Sequence, residues 1–75
     1  MPFTIRMGDR PYGLATYWTG MGSRYKELAL INPLLGAEQS TATGAPPYPN
    51  WVPGFAIMIP AGWNPYAKPM PPVGL

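Results

Sequence analysis

Phe3-Thr4-Ile5-Arg6-Met7-Gly8-Asp9-Arg10-Pro11-Tyr12-Gly13-Leu14-Ala15 is the stretch whose reading decides the fold. Phe3 and Ile5 alternate with Thr4 and Arg6, the period of a half-buried strand. Gly8 supplies the positive φ that a sharp reversal needs. Asp9 reads as the cap of a helix that begins at once, its charge suited to the positive end of the helix dipole. Pro11 falls in the first helical turn, where its missing N–H costs nothing. Strand, turn and helix are thus packed into thirteen residues.

Outward from this stretch, the first helix is expected from about Arg10 to Tyr17 or Trp18, with Leu14, Ala15 and Trp18 on its apolar face. Thr19-Gly20-Met21-Gly22 ends it with glycine just past the last turn. The two glycines follow a helix and not a strand, so they are no phosphate-binding loop. Ser23 reads as the N-cap of a second helix over Arg24 to Ile31, with Tyr25, Leu28 and Ala29 on one side. Asn32-Pro33 closes it, because the residue before proline is pushed out of the α region. From Leu34 to Pro53 periodicity disappears. Pro46-Pro47-Tyr48-Pro49 favours an extended polyproline conformation inside an unusually long loop. Phe55, Ile57 and Ile59 alternate with Ala56 and Met58, so residues 55–59 form a second strand, and Pro60 ends its ladder. Residues 61–75 hold four prolines with Trp63, Tyr66 and Met70, and read as a proline-rich extended C-terminal arm rather than a disordered tail, which would be poor in aromatics and rich in charge.

Composition bounds the rest. Seventy-five residues permit one small domain with a marginal core. Without cysteine there is no disulfide or thiolate site, and without histidine the commonest metal ligand and general base is missing. Asp9, Glu27 and Glu38 are the only acids and are better explained as a cap, a helix-surface residue and a solvated loop residue. We therefore expect no catalytic residues, no metal, no cofactor and no enzyme activity. Five Lys/Arg against three Asp/Glu give a net charge of +2, and the basic residues are scattered, so nucleic acid is not an expected partner. Met1-Pro2-Phe3 lacks the basic and apolar regions of a signal peptide. The uncharged run Gln39 to Ala67 is interrupted by proline throughout and offers no membrane-spanning helix.

The order strand, Gly8-Asp9, Leu14-Ala15 on a helix, a second helix with Leu28 closing at Asn32-Pro33, then Pro53-Gly54 and Ile57-Met58-Ile59-Pro60, resembles the LysM domain over residues 3–60. The resemblance implies an α+β fold of β-α-α-β order, with two helices packed on one face of a two-stranded antiparallel sheet. Here it would carry a long helix–strand loop (about 34–53) and the arm. Phe3, Ile5, Leu14, Trp18, Leu28, Ile31, Ile57 and Ile59 would form the core, each worth about 1.5–3 kcal/mol when fully buried.

Two functions follow from the resemblance. Small LysM-like proteins without export signals are similar to those of bacteriophage tails and baseplates and of related contractile injection particles. The first reading is accordingly a non-catalytic structural adaptor in a virion, assembled in the host cytoplasm and bound to tail-tube, hub or baseplate subunits. Its loop and arm would do the binding, with Tyr48, Trp51, Trp63, Tyr66 and Met70 as anchors, aromatic residues being the usual interface hot spots. The alternative is a module for peptidoglycan or another N-acetylglucosamine polymer. For that reading the family implies a groove with Gly8, Asp9, Arg10 and Pro11 on one wall and Asn32, Pro33 and Leu34 on the other. Tyr12 and Tyr48 would be available to stack on sugar faces.

Overall fold

The computed structural model describes residues 1–74. Leu75, the last residue of the expected arm, lies outside the described residues. The chain forms strand β1 (Pro2–Thr4), helix α1 (Pro11–Thr19), helix α2 (Lys26–Ile31) and strand β2 (Ala56–Met58), with 3-10 turns at Gly22–Tyr25, Pro33–Leu35 and Ala61–Trp63. It is a small α+β fold. β1 and β2 pair antiparallel, with Pro2 opposite Met58, Phe3 opposite Ile57 and Thr4 opposite Ala56. The ladder continues beyond both strands: Ile59 N–H donates to the Met1 carbonyl at 2.8 Å and Ile5 N–H to the Phe55 carbonyl at 2.9 Å. Phe3 and Ile57 face inward at the centres of their strands, and Ile5 and Ile59 keep to the same side. Leu14, Ala15, Trp18 and Leu28 from the helices share one core with them. The opposite residues, Pro2, Thr4, Ala56 and Met58, are exposed, so the helices cover one face of the sheet.

Helix α1 stops as its sequence dictates. Gly20 adopts φ 78° and its N–H closes on the Thr16 carbonyl at 2.9 Å. Its beginning differs from expectation. Pro11 is the first helical residue and extended Arg10 the cap position, with no side-chain cap. Asp9 does not cap because its carboxylate points back to Arg6. Ser23 does not cap either, since it sits inside a 3-10 turn that runs into α2 without an extended residue at the junction. Ile31 is 46% exposed and leaves the expected core. The six-residue helix ends on it, and the neighbouring Asn32 reaches the sheet instead.

The vacant core positions are filled from segments without periodicity. Leu35, Tyr48, Trp51 and Trp63 are buried with the strand and helix residues. The C-terminal segment is therefore no free arm. Trp63 packs on Trp18 with ring centroids 6.3 Å apart, and Trp18 in turn meets Phe3 edge-on at 5.6 Å. The β-α-α-β unit leaves the Trp18 flank open, and Trp63 closes it. Pro65 and Pro71 are buried as well. Tyr17 Oη donates to the Pro69 carbonyl at 2.6 Å, and Arg6 Nη1 to the Pro71 carbonyl at 2.8 Å.

Candidate functional site

The Gly8–Asp9 turn positions everything around the candidate site. Gly8 has φ 87°, and a Cβ there would lie 3.2 Å from the Gly74 Cα, so the turn needs glycine for its conformation as well as for the close approach of the C-terminal segment. The Asp9 side chain is wholly buried. Its Oδ2 accepts the Arg6 backbone N–H and Nε–H, both at 2.8 Å, and its Oδ1 accepts Arg6 Nη2–H at 3.0 Å. The bidentate pair spends the charge of both residues on each other. Trp51 Nε1–H donates to the Asp9 carbonyl at 2.8 Å, which ties the helix–strand loop to the same turn. One residue thus fixes the loop through its backbone and, through Arg6, the C-terminal segment by its side chain.

Between this turn and that loop lies an open groove of about 640 Å³. Gly8, Asp9, Arg10 and Pro11 form one wall and Tyr12 and Tyr25 flank it. The facing wall is Thr41 and Gly44 to Pro47, with Trp51 and Pro53. The first wall holds the residues expected there, and the second is built from residues other than those expected. Asn32, Pro33 and Leu34 do not line it. Asn32 is buried and committed: its Nδ2 donates to the Leu28 and Met58 carbonyls at 2.9 and 2.8 Å, and its Oδ1 accepts Met58 N–H at 2.8 Å. Pro33 and Leu34 are exposed on the turn after α2.

Three tyrosines step from the groove into the core. Tyr12 is 60% exposed, Tyr25 half-buried and Tyr48 fully buried, with successive ring centroids 6.2 Å apart. Tyr25 Oη donates to Glu38 Oε2 at 2.8 Å, and this bond is the first reason its phenol titrates above the ordinary range, followed by burial and the Glu38 charge. Burial pushes the Tyr48 phenol to about 12, helped by the charge of Glu38 and by Tyr25. Tyr48 Oη donates to the Tyr25 carbonyl at 3.2 Å. Nothing in the sequence marks Tyr25, Pro46 and Pro47 as groove residues. The helical pattern assigned Tyr25 to a core face, and the prolines lie where no periodicity exists.

The expected partner anchors divide. Tyr48, Trp51 and Trp63 are core residues and cannot anchor a neighbour without unfolding this chain. Trp63 Nε1–H also bonds Glu27 Oε1 at 3.0 Å, and Glu27 in turn pairs with Arg24 Nε at 2.7 Å. The bond to Arg24 is the first cause holding the Glu27 carboxyl below the ordinary range, the bond from Trp63 the second. Tyr66 and Met70 are exposed as an anchor requires. Among the described residues no group of three His, Cys, Asp or Glu side chains is placed to hold a metal ion, and no helix is long and apolar enough to cross a membrane. No protein-family model matches this chain, nor does any curated protein or solved structure.

Proposed function

We propose that this chain is a non-catalytic structural adaptor of a bacteriophage tail or baseplate, or of a related contractile injection particle, built on a LysM-like β-α-α-β unit. The carrying observation is the surface. Five basic and three acidic side chains serve the whole chain, and two pairs of them, Arg6–Asp9 and Arg24–Glu27, are spent on each other. Meanwhile Leu30 and Leu34 are 81% and 77% exposed beside half-exposed Ile31, and Tyr66 is 81% exposed. Soluble monomers keep such surfaces charged and free of apolar patches, whereas the centres of protein interfaces are depleted of charge. The order of elements and the helices on one sheet face support the LysM-like reading.

The surfaces that bind neighbours are then the exposed end of α2 and the exposed side chains of Tyr66 and Met70, rather than a free arm. Deleting residues 61–75 cannot test this, since that removes Trp63 from the core. The double variant Leu30→Glu/Leu34→Glu can. It is expected to keep its thermal melt and to lose at least about tenfold in incorporation, read by mass spectrometry of purified particles, because charge at an interface centre disrupts packing. Incorporation at the unsubstituted level would overturn the adaptor reading. Binding of a peptidoglycan or N-acetylglucosamine polymer remains the second reading, favoured by the groove itself and by Tyr12 at its edge. It ranks below because one of its two implied walls is built from other residues, and because the groove's one carboxylate is sequestered by Arg6.

A further inference from the structure

We propose that the groove between the Gly8–Pro11 turn and the Thr41–Pro47 loop is a docking site for an extended, proline-containing acidic segment of a neighbouring protein, in polyproline II conformation. The inference rests on the adaptor reading and names the kind of segment the adaptor would take. Three observations carry it.

The first is the lining. Tyr12 and Tyr25 on one side, with Pro46, Pro47 and Trp51 across, make a shallow channel of aromatic and proline surfaces. Polyproline II segments are recognised on such surfaces, because their ridged apolar faces fit between rings and their preset backbone loses little entropy on docking. Tyr12 is held ready. A Cβ at Gly22 would stand 2.3 Å from its ring carbons, so the ring lies directly over the glycine and against Tyr25 while 60% exposed. An exposed aromatic that is nevertheless fixed in place is pre-organised for contact.

The second observation is how the chain treats its own proline-rich segment. Proline lacks an N–H, so its carbonyl is its only backbone handle. The C-terminal segment is held through those handles: Tyr17 Oη donates to the Pro69 carbonyl, and Arg6 Nη1 to the Pro71 carbonyl. The groove presents the same pair of donors, unused. The Tyr12 hydroxyl and the Arg10 guanidinium have no hydrogen-bond partner among the described side chains.

The third observation is charge, which selects between occupants. Asp9 is buried and paired with Arg6, so among the described side chains that line the groove Arg10 is the one charge without a partner. Glu38 holds the Tyr25 hydroxyl but does not line the groove. An acidic segment complements this charge. The C-terminal segment of a second copy is already engaged by its own Arg6 and Tyr17 and carries Lys68 rather than an acidic side chain. A neutral amino-sugar chain would need side-chain acceptors as well as donors to replace its lost water, and the groove's one carboxylate is spent on Arg6.

The test is a nuclear magnetic resonance titration of the full chain with synthetic ten-residue peptides. One is rich in proline with two glutamates, a second has lysines in their place, and an N-acetylglucosamine hexamer is the third ligand. Saturable shifts at Arg10, Tyr12 and Gly44 with the glutamate peptide are expected, with at least about tenfold weaker binding of the lysine peptide, a large enough ratio to separate charge recognition from generic stickiness. Tyr12→Ala, Arg10→Glu and Gly22→Ala, which pushes the Tyr12 ring aside, should each weaken binding by a similar factor with the folded spectrum retained. Absence of saturation up to a concentration on the order of 1 mM, equal binding of the two peptides, or saturation by the sugar alone each overturns the assignment. Particle incorporation of the Leu30/Leu34 variant judges the adaptor reading separately, so either can fail without the other.

Discussion

The helix–strand loop and the C-terminal segment are both rich in proline, both have no regular structure beyond a single 3-10 turn, and both send aromatic side chains into the core. They are ordered by different means. The loop closes on itself: Gln39 N–H donates to the Pro47 carbonyl at 2.7 Å, Gln39 Nε2–H to the Pro46 carbonyl at 3.0 Å, and Gly44 N–H to the Thr41 carbonyl at 2.9 Å. Leu35 enters the core before this tip and Tyr48 and Trp51 after it. The C-terminal segment is held by residues at the other end of the chain, Arg6 and Tyr17. The first carries its own scaffold and can serve as the wall of a groove. The second borrows its order from α1 and the first turn. The comparison shows that proline content does not by itself free a segment for a partner; what decides is whether donors elsewhere reach its carbonyls.

The most severe test of this contrast is Trp63→Ala. If the C-terminal segment is core, the substitution should cost about 3–5 kcal/mol in denaturant-induced unfolding, as for other buried aromatics. A change within experimental error would return the segment to the status of a detachable arm. Asp9→Ala comes next, at about 1.5–3 kcal/mol for losing a buried charged acceptor. A cap alone would be worth about 1 kcal/mol. Here the two regions should respond unequally. The lost carboxylate releases Arg6, so amide exchange should rise at Met70, Val73 and Gly74, while Trp51 keeps its bond to the Asp9 backbone. Equal loosening of both regions would show that the turn does not divide its work in this way.

The smallest expected effect belongs to the loop and is seen only at alkaline pH. The folded-state pKa of Tyr48 is raised by burial to about 12, above the ordinary phenol value of 10.0. The unfolded chain therefore loses this proton first as pH rises, and unfolding is favoured by that release. The contribution is fully present below pH 10 and disappears as pH climbs through about 12. Unfolding followed between those limits should show a steeper loss of stability than the Tyr48→Phe variant does. Parallel curves would mean that the ring is not sealed from solvent, and the loop would then be less firmly docked than the C-terminal segment.

Much of this could be read in the sequence where periodicity exists. The alternation of Phe3 with Ile5 and of Ile57 with Ile59, the Leu14–Trp18 spacing, and the stops at Gly20 and Asn32-Pro33 place strands, helices and most of the core. The sequence marks Asp9 as a helix cap, whereas its partner is Arg6: a carboxylate beside a helix start competes between the free N–H groups and a nearby guanidinium, and Arg6 wins through a bidentate geometry that no local rule weighs. Tyr48, Trp51 and Trp63 read from sequence as partner anchors because burial of irregular segments leaves no period to detect. The groove was half legible. Its first wall is contiguous in sequence, whereas its second is created by the closed loop tip, which depends on Gln39 reaching two proline carbonyls.

The Asn32 amide has a consequence for the sheet's behaviour in a crowded cell. Because Met1, Phe3 and Ile5 lie at the hydrogen-bonded positions of the ladder, the backbone groups of Pro2 and Met58 point away from it, toward the two outer edges. At Met58 both are taken by Asn32, whose amide stands in for the peptide group of a third strand. At Pro2 there is no N–H to offer. A two-stranded sheet would ordinarily present two open templates for a stray strand, and a charge-poor chain has little else to repel one. Here a side chain occupies one edge at Met58 and an imino acid interrupts the other at Pro2, which leaves a stray strand only the single outward residue Ala56 or Thr4 on each edge and shortens both templates.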